Sequence, residues 1–415
     1  MGRWFSVFLA PFATVHPGPH HEGGVVELLS GARFQVFSAI GLSGVCVAVC
    51  IVAFALIHAP CNATEPGAAI PNRNTVSTFV DPLIKEAGYV GVAIGIVTAS
   101  GAKVYGFGDV KRQRPERPSG ETVFALASVT KTFTGVLLAD MTRRGLVRLD
   151  DPISRYLPRR VLGPRNPLAS VTLLDLATHT AGFPKNLPRE VDAPAEEPRG
   201  PLTVPQLHGF LRTYRPSAQP GSEFHYSNIG IALLGHILEL VSGRSYETMV
   251  EERICKPLGM KSTRIDPTSS MFRRMAQGYG KRLNPVSMRK FAVGKSSGGL
   301  YSTADDMLRY VAAHMGLVSA AIVPAMVDAR TPHRQVPGKK DAFMGLGWHI
   351  RRVRGMEIVT KNGGVRGFQS YVAFVPSAQI GVVALANASP EGRELDRAGR
   401  RILFSMLDAD AGFSE

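Results

Sequence analysis

The stretch FQSYVAFVPSAQIGVVALA, residues 368–386, contains two apolar runs of strand length. Phe368–Val375 and Ile380–Ala386 are separated by Pro376–Ser377, which marks a turn. A third strand, Met356–Lys361, precedes them along the chain. Strands that follow one another through short turns pair as an antiparallel meander, so this part of the chain predicts an antiparallel sheet.

Strands are also predicted near the other end of the chain. Val90–Val97 is an apolar run of strand length, and Lys103–Phe107 follows it after a short turn. One helix is predicted before this hairpin, over Val76–Ala87, and another after the meander, from about Gly392 to Leu407. We therefore expect one antiparallel sheet formed from both chain ends and flanked by terminal helices.

The region between the two groups of strands, about residues 128–330, has a helical pattern with long loops. Ser128 opens one predicted helix, and Ile229–Val241 and Thr303–His314 are two more. The proline-rich stretch 184–205 is predicted as a loop. The expected fold class is α+β, an α/β sandwich in which an all-helical lobe is inserted into the sheet lobe.

The N-terminal region contains an uncharged apolar segment, 36–57, whose 22 residues have the length of a membrane span or of a long secretory signal. We interpret residues 1–63 as a leader, 64–75 as a linker and 76–415 as the folded domain. The leader favours export, either cleaved or anchored in the membrane through this segment, over a buried core helix. The expected location of the domain is the periplasm.

Composition excludes several classes of protein. The chain is 45% hydrophobic and 20% charged, which excludes a disordered or collagen-like protein. Its 48 basic and 33 acidic residues leave a net charge of +15, but the basic residues are scattered and are not interleaved with aromatics. That pattern argues against nucleic-acid binding. Only Cys255 of the four cysteines lies outside the leader, which excludes a disulfide framework. We expect a monomer.

A nucleophile candidate lies at the predicted helix start, in the motif Ser128-Val129-Thr130-Lys131. A serine hydroxyl needs a base to take its proton, and a lysine three residues later on a helix faces the same side. Burial and a nearby cation lower the pKa of a lysine and make it usable as that base. The alternative interpretation is an N-capping serine with an exposed lysine.

Two further motifs have residue types that suit such chemistry. Tyr226-Ser227-Asn228 precedes an apolar helix, where a tyrosine with a lowered pKa could exchange protons with a lysine and an asparagine could bind a substrate carbonyl. Lys361-Asn362-Gly363-Gly364 ends a predicted strand, and a turn is predicted at Gly363–Gly364. A lysine there can hold an anionic group, while the glycines let a substrate backbone approach the strand edge. The alternatives are a solvated turn tyrosine and an ordinary hairpin turn.

These three motifs, in this order and spacing, resemble those of the penicillin-recognising serine hydrolases with a Tyr-x-Asn second motif. This group comprises the class C β-lactamases and their D-Ala-D-Ala peptidase relatives, and the resemblance extends from about residue 76 to 405. Five further stretches support it: Leu149–Pro152, LLDLATHTAGFP (173–184), Pro257–Met260, GGLYSTADDM (298–307) and FQSYVAFVP (368–376).

The resemblance implies a role for each matching residue. Ser128 would be the acylated nucleophile, Lys131 its proton partner, and Tyr226 a general acid or base that also activates the deacylating water. The backbone N–H groups of Ser128 and Gly364 would form the oxyanion hole. Substrate binding would fall to four residues of the second and third motifs: Asn228, Lys361, Asn362 and Gly363. No metal ion and no organic cofactor is implied.

Three features distinguish this sequence within the resemblance. Asn362 stands where the family usually has a threonine that contacts the substrate carboxylate, and Phe124–Ala127 stands where dedicated class C enzymes usually have glutamate and glycine. The segment VPGKKDAFMGLGW (336–348) is more similar to the peptidoglycan carboxypeptidase/endopeptidase branch known as AmpH. FQSYVAFVP is more similar to dedicated β-lactamases.

Competing interpretations concern both the nucleophile and the substrate. Ser296 lies in a Gly-x-Ser-x-Gly pattern, but no helix follows it directly, as a nucleophile elbow requires. His179 is expected to be structural, since Lys131 supplies a base. We expect hydrolysis of β-lactam amides, with cleavage of D-Ala peptides of peptidoglycan or of small esters as the alternative. A non-catalytic binding domain is disfavoured because the nucleophile and all three of its candidate partners are present.

Overall fold

The computed structural model describes residues 26–27, 33–34 and 68–407, with the exception of 114, 164, 188–200, 217, 281 and 289–290. The chain divides into two compact units, Met1–Thr64 and Glu65–Glu415. In the first unit a short strand β1 (Val26–Glu27) pairs antiparallel with β2 (Arg33–Phe34). The apolar segment 36–57 lies outside the described residues. Within the described part, no helix has the length and apolar character to cross a membrane.

The second unit contains strands and helices in the following order. The strands are β3 (Gly91–Thr98), β4 (Gly101–Gly108), β5 (Val123–Ala125), β6 (Gly278–Tyr279), β7 (Pro285–Val286), β8 (Tyr301–Thr303), β9 (Arg334–Gln335), β10 (Ala342–Met344), β11 (His349–Val353), β12 (Met356–Val365), β13 (Phe368–Val375) and β14 (Ile380–Ala386). The α-helices are α1 (Arg73–Lys85), α2 (Thr130–Arg143), α3 (Leu173–Ala177), α4 (Val204–Thr213), α5 (Asn228–Ser242), α6 (Tyr246–Val250), α7 (Lys256–Leu258), α8 (Ser269–Arg273), α9 (Lys295–Gly298), α10 (Ala304–His314), α11 (Val323–Arg330) and α12 (Glu394–Leu407). Short 3₁₀ turns span Ala127–Val129, Ile153–Arg155 and Pro167–Ser170, and a π-helical turn spans Glu251–Cys255.

An eight-stranded antiparallel sheet joins the two ends of the domain, in the order β4-β3-β14-β13-β12-β11-β10-β9. The N-terminal hairpin meets the C-terminal meander where β3 pairs with β14, with Ile94 opposite Ala384. Both strands are buried on both faces, which explains their nearly continuous apolar sequences. The predicted α+β sheet built from both chain ends is confirmed.

Helices cover both faces of this sheet. On one face the apolar sides of α1 and α12 pack against β3, β13 and β14 in a core that includes Val80, Leu395 and Ile402. On the other face α10 crosses β3 so closely that a Cβ atom on Gly95 would lie 3.0 Å from the Leu308 side chain. Because α12 packs on β13 and β14, the neighbouring strands β12 and β11 are left to line a cleft.

Two predicted boundaries near the ends of the domain differ from the structure. The first helix begins at Arg73 instead of Val76 because the Asn72 side chain accepts a hydrogen bond from the Thr75 N–H, so the end of the expected 64–75 linker is helical. β12 continues to Val365 through the expected turn at Gly363–Gly364. Both glycines pair with β13, and the chain reverses instead at Gly367, where φ is +90°.

The middle of the domain, about residues 128–330, is mainly helical as expected, but it is not all-helical. It contains β6 paired with β7, and β8, which pairs with β5 just before the nucleophile motif. The short apolar β5, Val123–Ala125, was not predicted as a strand because three residues show no periodicity. The pairing of β5 with β8 connects the chain immediately before Ser128 to the helical region.

Candidate active site

Ser128 lies in the 3₁₀ turn Ala127–Val129, which leads into α2. The α-helix was predicted to begin at Ser128, but it begins at Thr130. The preceding residue, Ala127, has a φ of +46°, an uncommon conformation for a residue with a side chain. This backbone turn follows directly from β5 and sets the nucleophile at the edge of the cleft. Ser128 itself is half-buried, whereas the residues on either side of it are buried.

Lys131 occupies the position one helical turn after Ser128. Its side chain is completely buried, and its Nζ lies 3.0 Å from Ser128 Oγ. The Nζ also donates a hydrogen bond to the Ser297 carbonyl. The pKa of Lys131 is well below its ordinary value, chiefly because of burial and then because of the charges of Lys361 and Lys185. An amine whose pKa is lowered in this way loses its proton more readily, and its neutral form has a lone pair for the serine proton.

Tyr226 faces both lysines of the site. Its ring centroid lies 5.2 Å from Lys131 Nζ and 4.9 Å from Lys361 Nζ. Burial raises the pKa of Tyr226, and a hydrogen bond with the Ser128 side chain acts in the opposite direction. The expectation of a lowered tyrosine pKa is therefore wrong: desolvation outweighs the hydrogen bond, and the phenol keeps its proton at neutral pH.

His179 holds the loop that carries Tyr226. Its carbonyl accepts a hydrogen bond from the His225 N–H at 2.8 Å, and its Nδ1 accepts one from the Ser227 N–H at 3.2 Å. Its ring lies 4.5 Å from the Tyr226 ring. His179 itself is buried and has a φ of +61°, so a non-glycine residue is kept in a costly conformation at the base of the site.

Asn228 begins α5, which Ser227 caps through a hydrogen bond from the Gly230 N–H. The Asn228 side chain lines the cleft and donates to Asn186 Oδ1 at 2.9 Å. Its backbone N–H donates to the Lys185 carbonyl. Lys185 also lines the cleft. The Tyr-x-Asn motif thus presents both of its polar side chains to the cleft, as expected.

The third motif lies on the part of β12 that extends beyond its partner β11. Lys361 is buried, and burial lowers its pKa to about 7. A Cβ atom on Gly363 would lie 2.4 Å from the Leu126 carbonyl oxygen and 2.9 Å from the Ser128 nitrogen, so only glycine lets this strand pass the nucleophile. A Cβ atom on Gly364 would meet nothing within 4 Å, and Gly364 is exposed along the cleft.

Asn362 points to the opposite side of β12 from Lys361. Its Nδ2 donates to Asp396 Oδ2 at 2.7 Å, and Asp396 lies in the first turn of α12. Burial raises the pKa of Asp396, while the Asn362 hydrogen bond and the nearby Arg393 act to lower it. The residue that replaces the usual threonine is therefore bound to an acidic group inside the cleft.

The cleft around these residues has a volume of about 1210 Å³ and extends over the edge of β12. One part contains Ser128, Tyr226 and Asn228, and the other continues between β11, β12 and α12. The cleft is also lined by two residues that sequence reasoning missed, His349 and Asp396. His349 is the polar first residue of a strand, and Asp396 lies beside the apolar face of α12. A polar residue next to an apolar run is the sequence signal that could have identified both as candidate site residues.

The alternative nucleophile Ser296 is not available to substrate. It is 1% exposed, and its hydroxyl donates to the Ile231 carbonyl at 3.1 Å. It lies on the four-residue helix α9, where the sequence predicted no helix. This helix packs against α5, where a Cβ atom on Gly235 would be 2.3 Å from the Ser296 side chain. Its surroundings are those of a packed core hydroxyl, which excludes the nucleophile-elbow interpretation.

Comparisons with known proteins find relatives that match most of the chain. Residues 76–405 match the protein family described as Beta-lactamase. The chain is 30% identical to the D-alanyl-D-alanine-carboxypeptidase/endopeptidase AmpH of Escherichia coli K12, over 86% of this chain and 92% of that protein. It is 28% identical to a β-lactamase of Pseudomonas fluorescens, over 80% of this chain and 98% of that protein.

A solved structure shares the same architecture. The D-alanine carboxypeptidase AmpC from Burkholderia cenocepacia matches with a TM-score of 0.70 and 29% identity, over 80% of this chain and 98% of that chain. The resemblance drawn from the three motifs is thereby confirmed. The chain belongs to the beta-lactamase family.

Proposed function

We propose that this chain is an exported serine hydrolase that hydrolyses the amide bond of β-lactam antibiotics through an acyl-enzyme on Ser128. The observation that carries the proposal is the 3.0 Å separation between Ser128 Oγ and the buried amine of Lys131. Burial lowers the pKa of this lysine and so favours the neutral form that can act as a base, and its amine is within reach of the nucleophile's proton.

Acylation begins when Lys131 takes the Ser128 proton and Oγ attacks the substrate carbonyl. The negative oxygen that forms would be bound by the backbone N–H groups of Ser128 and Gly364, since β12 passes directly beside the nucleophile. Tyr226 would then give its proton to the leaving nitrogen, which breaks the amide bond and leaves the acyl group on Ser128. The raised pKa of Tyr226 supports this role, because the phenol starts with its proton.

Deacylation reverses these proton transfers with water in place of the leaving group. Tyr226, after donating its proton, is the base that would activate this water, and Lys361 would stabilise the resulting negative charge on the phenol oxygen. Asn228 would orient the substrate amide, and the strand at Gly363 would align the substrate along its edge. Each of these roles is assigned to a side chain or a backbone group of this chain, and no step is assigned to a metal ion or an organic cofactor.

A second candidate function is hydrolysis of D-Ala peptides of peptidoglycan, as a carboxypeptidase or endopeptidase that penicillin inhibits. Two observations favour it: the 30% identity to AmpH, and a cleft of about 1210 Å³, which exceeds the space that a small bicyclic antibiotic needs. Both functions use the same acylation step. They differ in the rate of deacylation, and 1.4 kcal/mol in that barrier is tenfold in rate.

The two functions are separated by turnover measurements on one preparation. Purified protein is mixed with a chromogenic cephalosporin and, in parallel, with a peptide ending in D-Ala-D-Ala. Steady turnover of the cephalosporin, with an acyl-enzyme that clears within about a second, supports β-lactam hydrolysis. Release of D-Ala with a cephalosporin adduct that persists for minutes supports the peptidase. The absence of both reactions would contradict the proposed function.

The location of the enzyme is part of the same proposal. We place the catalytic domain in the periplasm, where both peptidoglycan and incoming antibiotics are met, either cleaved from its leader or anchored through residues 36–57. We also propose that it acts as a monomer, since every residue used above belongs to one chain. Fractionation of expressing cells, followed by size-exclusion chromatography of the purified protein, tests both statements.

A further inference from the structure

Lys361 and Lys131 place two amines in the same buried site. Lys361 is 1% exposed and Lys131 is fully buried, and the charge of Lys361 lowers the pKa of Lys131. Among the described residues, no carboxylate lies within ion-pair distance of either amine. A buried ammonium without an acceptor loses its proton readily, because desolvation disfavours the charged form. The protonation of Lys361 therefore depends on whatever neutral acceptor the site provides.

His349 provides such an acceptor. Its Nε2 lies 3.3 Å from Lys361 Nζ, and it lines the cleft as the first residue of β11, opposite Thr360 of β12. When Lys361 carries its proton, its ammonium group has donors only, so the ring nitrogen that faces it must then offer its lone pair. His349 is then a neutral imidazole, in keeping with a pKa held well below its ordinary value by burial and by the charge of Lys361.

The loop before His349 holds the imidazole in place. Gly347 has a φ of +82°, and a Cβ atom there would lie 2.5 Å from the Lys131 carbonyl oxygen, so this loop packs directly on the nucleophile helix. The Gly347 N–H donates to the Ala177 carbonyl, and the Leu346 N–H donates to the Ala329 carbonyl at 2.8 Å. The loop thus packs against the backbone of Lys131 at Gly347 and leads directly into His349, whose ring nitrogen faces Lys361.

We propose that His349 is a positioning residue: its Nε2 accepts a hydrogen bond from Lys361, keeps that lysine protonated and directs it at Tyr226. The inference rests on the proposed function, in which Lys361 stabilises negative charge on the Tyr226 oxygen. The Lys361 Nζ lies 4.9 Å from the Tyr226 ring centroid, near enough for its charge to act on that oxygen.

Among the residues that the structure describes, no neighbouring group replaces His349 in this role. The ionisable groups that act on the pair from the surrounding elements are cations or groups that are neutral at pH 7. They are Lys131 of α2, His179 and Lys185 of the loop after α3, Tyr226, Lys339 before β10, and Arg393 before α12. The acidic Asp396 is bound to Asn362, whose side chain projects from the opposite side of β12.

Two substitutions of His349 distinguish the effect of losing the hydrogen-bond acceptor from the effect of losing the imidazole ring. His349→Leu removes the acceptor and keeps an apolar side chain of similar bulk, whereas His349→Gln retains an oxygen that can accept. Lysine ε-carbons are labelled with ¹³C, and the Lys361 signal is assigned by its loss in Lys361→Met. Titration of the free enzyme then reports the Lys361 pKa without any substrate, and thermal unfolding confirms that both variants are folded.

We expect His349→Leu to lower the Lys361 pKa by about one unit, which corresponds to a tenfold change in the proton equilibrium. The basic limb of the kcat/KM profile should move to lower pH by the same amount, and His349→Gln should stay within about 0.3 units of the wild type. An unchanged Lys361 pKa in His349→Leu, or an equal shift in both variants, would overturn the inference. Because the titration needs no turnover, a wild-type enzyme that forms no acyl-enzyme would refute the proposed function and leave this result intact.

Discussion

Lys131 Nζ lies 3.0 Å from Ser128 Oγ, and the lysine side chain is buried beneath the nucleophile. The contact spans one helical turn, from a strained 3₁₀ turn into the first turn of α2. Because Lys131 also donates to the Ser297 carbonyl, its amine is fixed in direction as well as in distance. The alternative of a capping serine with an exposed lysine is excluded by this burial.

The glycines of β12 provide a matched pair of substitutions. Gly363→Ala should lower the rate of acylation by at least about 100-fold, because a Cβ atom there would lie 2.4 Å from the Leu126 oxygen and would push the strand away from Ser128. Gly364→Ala should change the rate by less than about threefold, since its Cβ would meet nothing within 4 Å. Stopped-flow acylation measures both, and equal effects of the two variants would refute this account of the strand.

Tyr226→Phe tests the proton transfers assigned to the phenol. The ring contacts with His179 and the two lysines are kept, so substrate binding should change little. Deacylation should slow by about 10²–10⁴-fold, the usual contribution of a general acid or base. The lifetime of the acyl-enzyme, followed by intact mass, gives the answer. A lifetime equal to that of the wild type would remove Tyr226 from the deacylation step.

The hydrogen bond between Asn362 and Asp396 affects how the cleft can bind a substrate carboxylate. The Asn362 amide donates to Asp396 at 2.7 Å, so it is not free to bind a substrate carboxylate, and the Asp396 charge repels one. Asp396→Asn should lower KM about threefold to tenfold for substrates with a carboxylate at this end, and should leave the KM of their methyl esters unchanged. An equal change for acids and esters would show that charge at this position does not select the substrate.

Lys361→Met should stabilise the protein while it lowers activity. The Lys361 pKa is about 7 in the folded protein against an ordinary value of 10.5, so between these pH values the unfolded chain binds a proton that the folded chain lacks. The destabilising effect of Lys361 is therefore greatest at pH 7 and below, and disappears toward pH 10.

At pH 7 the gain in the free energy of unfolding is expected to be on the order of a few kcal/mol. Denaturation with urea at pH 7 and pH 9.5 measures it, and Lys85→Met, at an exposed lysine of α1, is the control. A stability difference between Lys361→Met and the wild type that stays constant over this range would contradict the pKa assigned to Lys361.

Much of the fold was predictable because its strands are long and apolar. β13, β14 and α12 were predicted nearly to their ends, and both groups of strands join in one sheet as expected. The errors occur where tertiary contacts override local signals. The Gly363–Gly364 pair has the composition of a turn, yet pairing with β13 and the passage beside Ser128 keep it extended.

The motifs that form the site were predicted from the sequence, but the pKa shifts of their side chains were not all predicted. Ser128, Lys131, Tyr226, Asn228 and Lys361 are brought together, as the family resemblance implied. The raised pKa of Tyr226 depends on burial by residues distant in sequence, which no motif records. His349 and Asp396 escaped notice for the same reason, because each reaches the cleft through strand register or helix packing.

The most direct test of the central claim is the site and rate of covalent labelling. Wild-type protein, Ser128→Ala and Lys131→Arg are mixed with a chromogenic cephalosporin, quenched at intervals and mapped by peptide mass. We predict an adduct on Ser128 in the wild type, none in Ser128→Ala, and labelling slowed by about 10²–10⁴-fold in Lys131→Arg, since arginine stays protonated. An adduct on another residue, or labelling of Lys131→Arg at the wild-type rate, would contradict the account.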